Sequence, residues 1–92
     1  RIYMATTKGR NVYTEVSYEP DCYLMFGKES AGIPEEILKE HPQEAIRIPM
    51  IGETRSLNLG NAAAIVLYEA LRQNGFAQMK LQGELTKYDW DV

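Results

Sequence analysis

An α/β domain organised around a parallel sheet is the fold this sequence predicts, and three observations predict it. Short, nearly continuous apolar runs occur at 2–6, 22–26 and 45–50, the pattern of strands covered on both faces. The stretch between the first two runs is long enough for a parallel crossover, which takes about a dozen residues or more. The later two runs each feed a polar loop and then a helical pattern: CYLMFGKESAGIPEEIL at 22–38, and RIPMIGETRSLNLGN at 47–61 followed by AAAIVLYEALRQ. Strand–loop–helix joints of this kind expose backbone amides and short polar side chains at the carboxyl edge of a sheet, where α/β proteins bind small ligands.

Residues 2–6 read as a buried strand. Thr7, Lys8, Gly9, Arg10 and Asn11 are turn-like, with Gly9 and Asn11 able to take positive φ. VYTEVSY at 12–18 is rich in β-branched and aromatic residues in rough alternation, which predicts a short strand or an extended connection. Glu19-Pro20-Asp21 breaks it, and 22–26 is the second buried strand. Pro34 in a first helical turn, Glu35 and Glu36 near the positive end and Lys39 near the negative end predict a short helix at about 34–41. Ile33, Ile37 and Leu38 form its apolar stripe and Pro42 stops it, leaving His41 as a surface or capping residue. The third buried strand covers 45–50. From about 57 to 74 the pattern is helical and closes on Asn74-Gly75 as a C-cap. Seven consecutive apolar residues, Ala62 to Tyr68, cannot share one side of a helix, so it must be covered on more than one face. A partner subunit is the simple cover; Ala62, Ala63 and Ala64 would let its backbone approach, and Tyr68 is expected at that contact. In the tail 76–92, Leu81, Leu85, Tyr88 and Trp90 fall near helical spacing and could dock on the body or on a second subunit.

Ninety-two residues make one small domain or part of one, burying roughly 60–68% of the unfolded surface. The chain opens on Arg1 and runs directly into a strand, as expected of a fragment or processed chain that has lost an amino-terminal part. No stretch approaches the roughly 18–20 consecutive apolar residues of a membrane-spanning helix, and no leader pattern opens the chain. The single cysteine, Cys22, cannot form an internal disulfide, which fits a reducing cytosol; a buried thiol at a strand start is expected. The net charge of −3 excludes a wholly basic nucleic-acid binder. Lys8, Arg10, Lys28 and Arg55 nevertheless all follow predicted strands, so a parallel sheet would gather them along one edge, where they are either solvated loop charges or phosphate contacts.

Some chemistries fail on inspection. Gly27-Lys28-Glu29-Ser30 hints at a phosphate loop, but that motif needs Ser or Thr straight after the Lys and a glycine five residues before the Gly-Lys pair; Glu29 and Cys22 stand there. No GxGxxG fingerprint occurs, and with one His and one Cys no metal centre is expected. What remains is a set of strand ends: Ala5-Thr6, Phe26-Gly27 and Ile48-Pro49-Met50, with the loop to Ser56. Apolar side chains beside free backbone groups suit a planar purine, and Gly27 would permit close approach. A plain packed sheet edge is the other reading of the same residues.

TTKG at 6–9, LMFGKESAGIP at 24–34, RIPM at 47–50 and RSLNLGNAAAIVLYEALRQ at 55–73, in this order and spacing, resemble the SpoU-type RNA 2′-O-ribose methyltransferases of the SPOUT superfamily. The resemblance implies a parallel α/β domain with a deep trefoil knot that holds S-adenosylmethionine. It makes 1–92 the carboxyl-terminal part of one domain, with a cofactor-binding knot region at about 1–75 and a tail at 76–92. It implies 2′-O-methylation of a tRNA wobble-position ribose by a cytoplasmic homodimer paired through helix 57–74. Cofactor contacts would fall at Ala5, Gly27, Ile48 and Ser56, with Thr6, Met50 and Leu57 adjacent. Glu29 and Asn58 match polar positions that shape the site, and Arg55 one near the RNA or the reacting ribose. Ala31 departs from the basic or polar residue common in relatives, which puts an RNA contact there in doubt. The implied reaction, attack of a ribose 2′-hydroxyl on a sulfonium methyl, needs alignment and help in losing the hydroxyl proton. The family assigns that help to an arginine of its first motif, which would precede residue 1, so this chain alone is expected not to transfer methyl groups. Ser56 and Asn58 could equally cap the helix they precede. Two alternatives stay open: a non-catalytic knotted module for dimerisation or RNA docking, and a flavodoxin-like nucleotide-binding domain, which would lack its phosphate loop.

Overall fold

Three of the four strands in the computed structural model lie where the apolar runs predict them. The structure describes residues 1–27, 31–51 and 58–91. In chain order the elements are β1 (Ile2–Ala5), β2 (Asn11–Val12), β3 (Tyr23–Met25), α1 (Glu35–Leu38), β4 (Ala45–Arg47) and α2 (Leu59–Gln73). The strands form one sheet in the order β2-β4-β1-β3, and every pairing is parallel. Ile2 pairs with Tyr23 and Met4 with Met25 on one side of β1, and Ala5 with Ile46 on the other.

The period-two alternation of a strand sends successive side chains to opposite faces, and both faces are covered. Tyr3 and Ile46 point to one side, where they meet Tyr18 and the α2 residues Val66 and Ala70. Met4 and Ala45 point to the other, under Ile33 and Leu38. Tyr3 and Tyr18 meet edge to face with ring centres 4.9 Å apart, and each hydroxyl donates to a backbone carbonyl, of Ser17 and Tyr13 respectively, at 2.5 Å. Burial pushes both phenols above their ordinary pKa. A raised native pKa means that the neutral form stabilises the fold fully below about pH 10 and less as pH climbs past it. Alkaline titration should therefore unfold the chain together with phenolate formation from about pH 10 upward, read by circular dichroism and tyrosinate absorbance; a folded chain with both phenols ionised would contradict this.

The segment 12–18 departs from its expected strand. Only Asn11–Val12 pair with β4, the Tyr13 amide still reaches the Arg47 carbonyl at 2.9 Å, and there β4 ends, so strand propensity at 14–18 has no partner. The chain instead turns and packs Tyr13 and Val16 on the core, held by helix side chains. Gln73 donates to the Val16 carbonyl at 2.9 Å and accepts from the Tyr18 amide at 3.0 Å, and Asn74 donates to the Tyr18 carbonyl at 3.1 Å. Glu69, buried beside them, accepts two bonds from Arg72 and one from Gln73 at 2.8–3.0 Å, which hold its carboxyl below the usual carboxylate range.

α1 is a single turn, shorter than the expected 34–41, because its end tightens: Glu40 and His41 donate back three residues, to Ile37 and Leu38, before Pro42. His41 is exposed, 3.7 Å from Glu44. α2 closes as expected. Gly75 takes φ 72°, its amide bonds to Arg72 and that of Phe76 to Leu71, a Schellman cap. Cys22 is half-buried just before β3, and burial raises its thiol pKa. The tail forms no helix, and Leu81, Tyr88 and Trp90 are 71, 77 and 70% exposed, so it does not dock on this chain's own body. Ile65, Leu67 and Tyr68 are likewise left exposed on α2. Among the described residues no helix is long and apolar enough to cross a membrane.

Gly9 is needed for a reason other than positive φ. A Cβ there would lie 2.6 Å from the Ile46 carbonyl carbon and oxygen and 2.9 Å from its nitrogen, so the loop crosses directly on the β4 backbone. Backbone cannot yield as a side-chain tip does, and Gly9→Ala should cost about 1–3 kcal/mol, read as a lower urea midpoint; an unchanged midpoint would refute this contact. Asn11, also expected to serve the turn, instead donates to the carbonyls of Pro42 and Ala45 at 2.9 and 3.0 Å, clamping β2 to the start of β4.

Candidate cofactor site at the carboxyl edge of the sheet

Because all four strands run the same way, their carboxyl ends share one edge. β1 is central there, with β3 on one side and β4 on the other. The Thr6 amide donates to the Ile46 carbonyl at 2.9 Å, and the pairings Met4–Met25 and Ala5–Ile46 bring Phe26–Gly27 and Ile48 to its flanks. Strands lie about 4.8 Å apart, so the ends of β3 and β4 face each other at roughly 10 Å across β1.

Ala5, Phe26 and Ile48 are half-buried against the core on the α2 side, which makes that side of the edge apolar. Gly27 has φ 110°, and among the described residues no atom beyond its own chain neighbours lies within 4 Å of where its Cβ would be. Its backbone conformation excludes ordinary side chains and leaves open space at the strand end. A flat ring could rest there against main chain, so the residues present fit an adenosyl group.

Of the expected site residues, Ala5, Thr6, Gly27 and Ile48 are brought together. The Thr6 hydroxyl accepts from the Lys8 amide at 3.0 Å and so shapes the turn. Met50 lies further along, in a shallow recess of about 230 Å³ on the β2 side, with Gly9, Arg10, Asn11, Val12, Arg47 and Pro49. Asn58 is the N-cap of α2: its side-chain oxygen accepts from the amides of Gly60 and Asn61 at 2.8 and 3.3 Å. Glu29, Arg55, Ser56 and Leu57 lie outside the described residues, as does Lys28. Of the expected basic edge, Lys8 is 2.6 Å from Glu35, an exposed pair that holds that carboxyl below its usual range. Arg47 is a residue that sequence reasoning misses: its strand position is readable, but its pairing with Val12 and its place in one recess with Arg10 follow from β2 lying beside β4.

The parallel sheet makes this an α/β domain, and the solved structures it matches place it in the SPOUT methyltransferase class. Its backbone superposes with a TM-score of 0.75 and 39% identity on a structure solved to explain 2′-OH methylation of C/U34 on tRNA, covering 83% of this chain and 49% of that one. An AdoMet-bound rRNA methyltransferase from Sinorhizobium meliloti gives a TM-score of 0.66 at 35% identity, over 77% of this chain and 27% of that one. The chain belongs to the SpoU rRNA Methylase family, whose model matches residues 1–68. Among its relatives is the tRNA (cytidine(34)-2′-O)-methyltransferase of Escherichia coli K12, 49% identical over 77 residues. That match takes in 83% of this chain and 49% of the relative; the chain spans about half the length of the relatives it matches.

Proposed function

We propose that this chain is the cofactor-binding part of an S-adenosylmethionine-dependent RNA 2′-O-methyltransferase acting on the wobble-position ribose of tRNA, in the cytoplasm. The observation that carries this reading is the meeting of Ala5, Thr6, Gly27 and Ile48 at one sheet edge, with Gly27 at φ 110° beside open space. The family membership and the tRNA-modifying relative point to the same substrate class.

When bound, the cofactor supplies an electrophilic methyl group on a sulfonium. The chain supplies the rest. Main-chain groups at the ends of β1, β3 and β4 read the edge of the ring while Ile48 and Phe26 exclude water from its face. Ala5 and Thr6 form the central floor, and Ser56, Leu57 and Met50 are assigned as further cofactor contacts on the strength of the family pattern. Arg55 meets the RNA beside the reacting ribose; Glu29 and Asn58 shape the polar side, Asn58 while also capping α2. The reading includes a deep trefoil knot, with about 1–75 as the cofactor-binding knot region and 76–92 as the tail. The exposed Ile65, Leu67 and Tyr68 are covered in a homodimer through the α2 helix.

Calorimetric titration with S-adenosylmethionine tests the reading: saturable binding without transfer to tRNA is expected. No heat even at millimolar cofactor would overturn it in favour of a non-catalytic dimerisation or docking module, and transfer by the chain alone would overturn its restriction to the cofactor-binding part.

A further inference from the structure

From the recess between β2 and β4, and resting on the RNA-methyltransferase reading above, we infer that Arg10 and Arg47 form a subsite for an RNA backbone phosphate next to the cofactor edge. Both guanidinium-bearing residues line the same recess with Met50. Both are held by rigid backbone. Gly9, immediately before Arg10, sits on the Ile46 main chain; Arg47 pairs with Val12 in the sheet; and the Asn11 side chain ties β2 to the residues just before β4.

Among the described residues no carboxylate lies within 4 Å of either arginine: the ion pairs there are Arg1–Glu19, Lys8–Glu35, His41–Glu44 and Arg72–Glu69. Among the described residues no acidic side chain lines the recess. In a chain of net charge −3, two cations sharing one cleft with no counter-charge among the described residues are an arrangement that an anion stabilises, and arginine engages phosphate oxygens in paired hydrogen bonds. Of the remaining lining, Val12, Pro49 and Met50 are apolar and suit the flank of a ribose. At about 230 Å³ the recess is smaller than the roughly 300–1,000 Å³ of pockets that enclose a whole ligand. It therefore takes one phosphodiester with part of its sugar. Met50 places that phosphate beside the strand ends, while Gly27 and the ring site lie across β4 and β1.

Fluorescence anisotropy with a labelled tRNA anticodon stem-loop, titrated across salt concentrations, tests this on the 92-residue chain, with S-adenosylmethionine affinity measured on the same samples. Arg10→Gln and Arg47→Gln should each weaken RNA binding and lower the slope of log affinity against log salt by about 1, with cofactor affinity unchanged. Arg10 is exposed, so its replacement should leave the urea midpoint where it was. RNA affinity and slope equal to the parent's in both variants would overturn the subsite while leaving the methyltransferase reading intact. Weakened cofactor binding with an unchanged RNA slope would assign the recess to the cofactor instead. If the parent chain failed to bind RNA at all, the reading on which the subsite rests would fall with it.

Discussion

Gly27→Val is expected to lower S-adenosylmethionine affinity by more than tenfold at a temperature where the variant is still folded. Two effects act at this position. Placing an L side chain at φ 110° costs on the order of 1–2 kcal/mol of backbone strain, and in a domain this small each kcal/mol lowers the melting midpoint by roughly 4–8 °C. The side chain would also enter the open space at the end of β3, where the adenosyl ring is proposed to rest. Gly75→Ala separates the two effects, since Gly75 also has positive φ (72°) and open surroundings but caps the far end of α2. It should lose comparable stability and keep its cofactor affinity. Calorimetry on both variants decides the matter: parent-like affinity in Gly27→Val would remove Gly27 from the site wall.

What the sequence disclosed depended on how local each cause was. β1 and β4 were legible because a strand covered on both faces is apolar almost without interruption; β3 has the same apolar run but is an edge strand that leaves Tyr23 and Met25 exposed; and α2 was legible because its apolar run, Asn58 and Asn74-Gly75 act within a few residues. The ends were less legible. Residues 48–50 and 13–18 have strand-like composition, but a strand persists only where a neighbour supplies hydrogen bonds, and β4 stops at Arg47. The tail had helical spacing at Leu81, Leu85 and Tyr88, yet such spacing yields a helix mainly when a surface receives the apolar face, and none on this chain does.

The same division runs through the site. Ala5, Thr6, Gly27 and Ile48 could be read from strand ends and family resemblance, because a parallel sheet brings its carboxyl ends together whatever its strand order. The strand order itself, β2-β4-β1-β3, could not be read, and three residues hang on it. Gly9 looked like a turn glycine but is required by the β4 backbone beneath it; Asn11 looked like its companion but holds Pro42 and Ala45. Arg47 looked like an ordinary strand residue, but β2 beside it brings Arg10 to the same recess. Glu69, Arg72 and Gln73 carried a local signal in their three- and four-residue spacing, but their hold on the 16–18 segment is a tertiary fact.

Tyr3→Ala should have the largest effect on stability, about 3–5 kcal/mol as for other buried aromatic truncations. Marginal stability of roughly 0.05–0.15 kcal/mol per residue makes that a large share of what a chain this small possesses. Tyr3 is 1% exposed at the centre of the sheet, and its loss would empty the space between β1, Tyr18 and Val66 and release the Ser17 carbonyl. Tyr3→Phe keeps the ring and forfeits the hydroxyl's bond, so it should cost only about 0.5–1.5 kcal/mol. Urea midpoints of the two variants measure the difference; equal losses would mean that the hydroxyl, not the ring, matters. The cofactor distinguishes this failure from that of Gly27→Val. A ligand that binds only the native state adds about 2.7 kcal/mol at a hundred times its dissociation constant, so saturating S-adenosylmethionine should restore much of the folded population of Tyr3→Ala. Gly27→Val, folded but with its site obstructed, should gain little from the same addition.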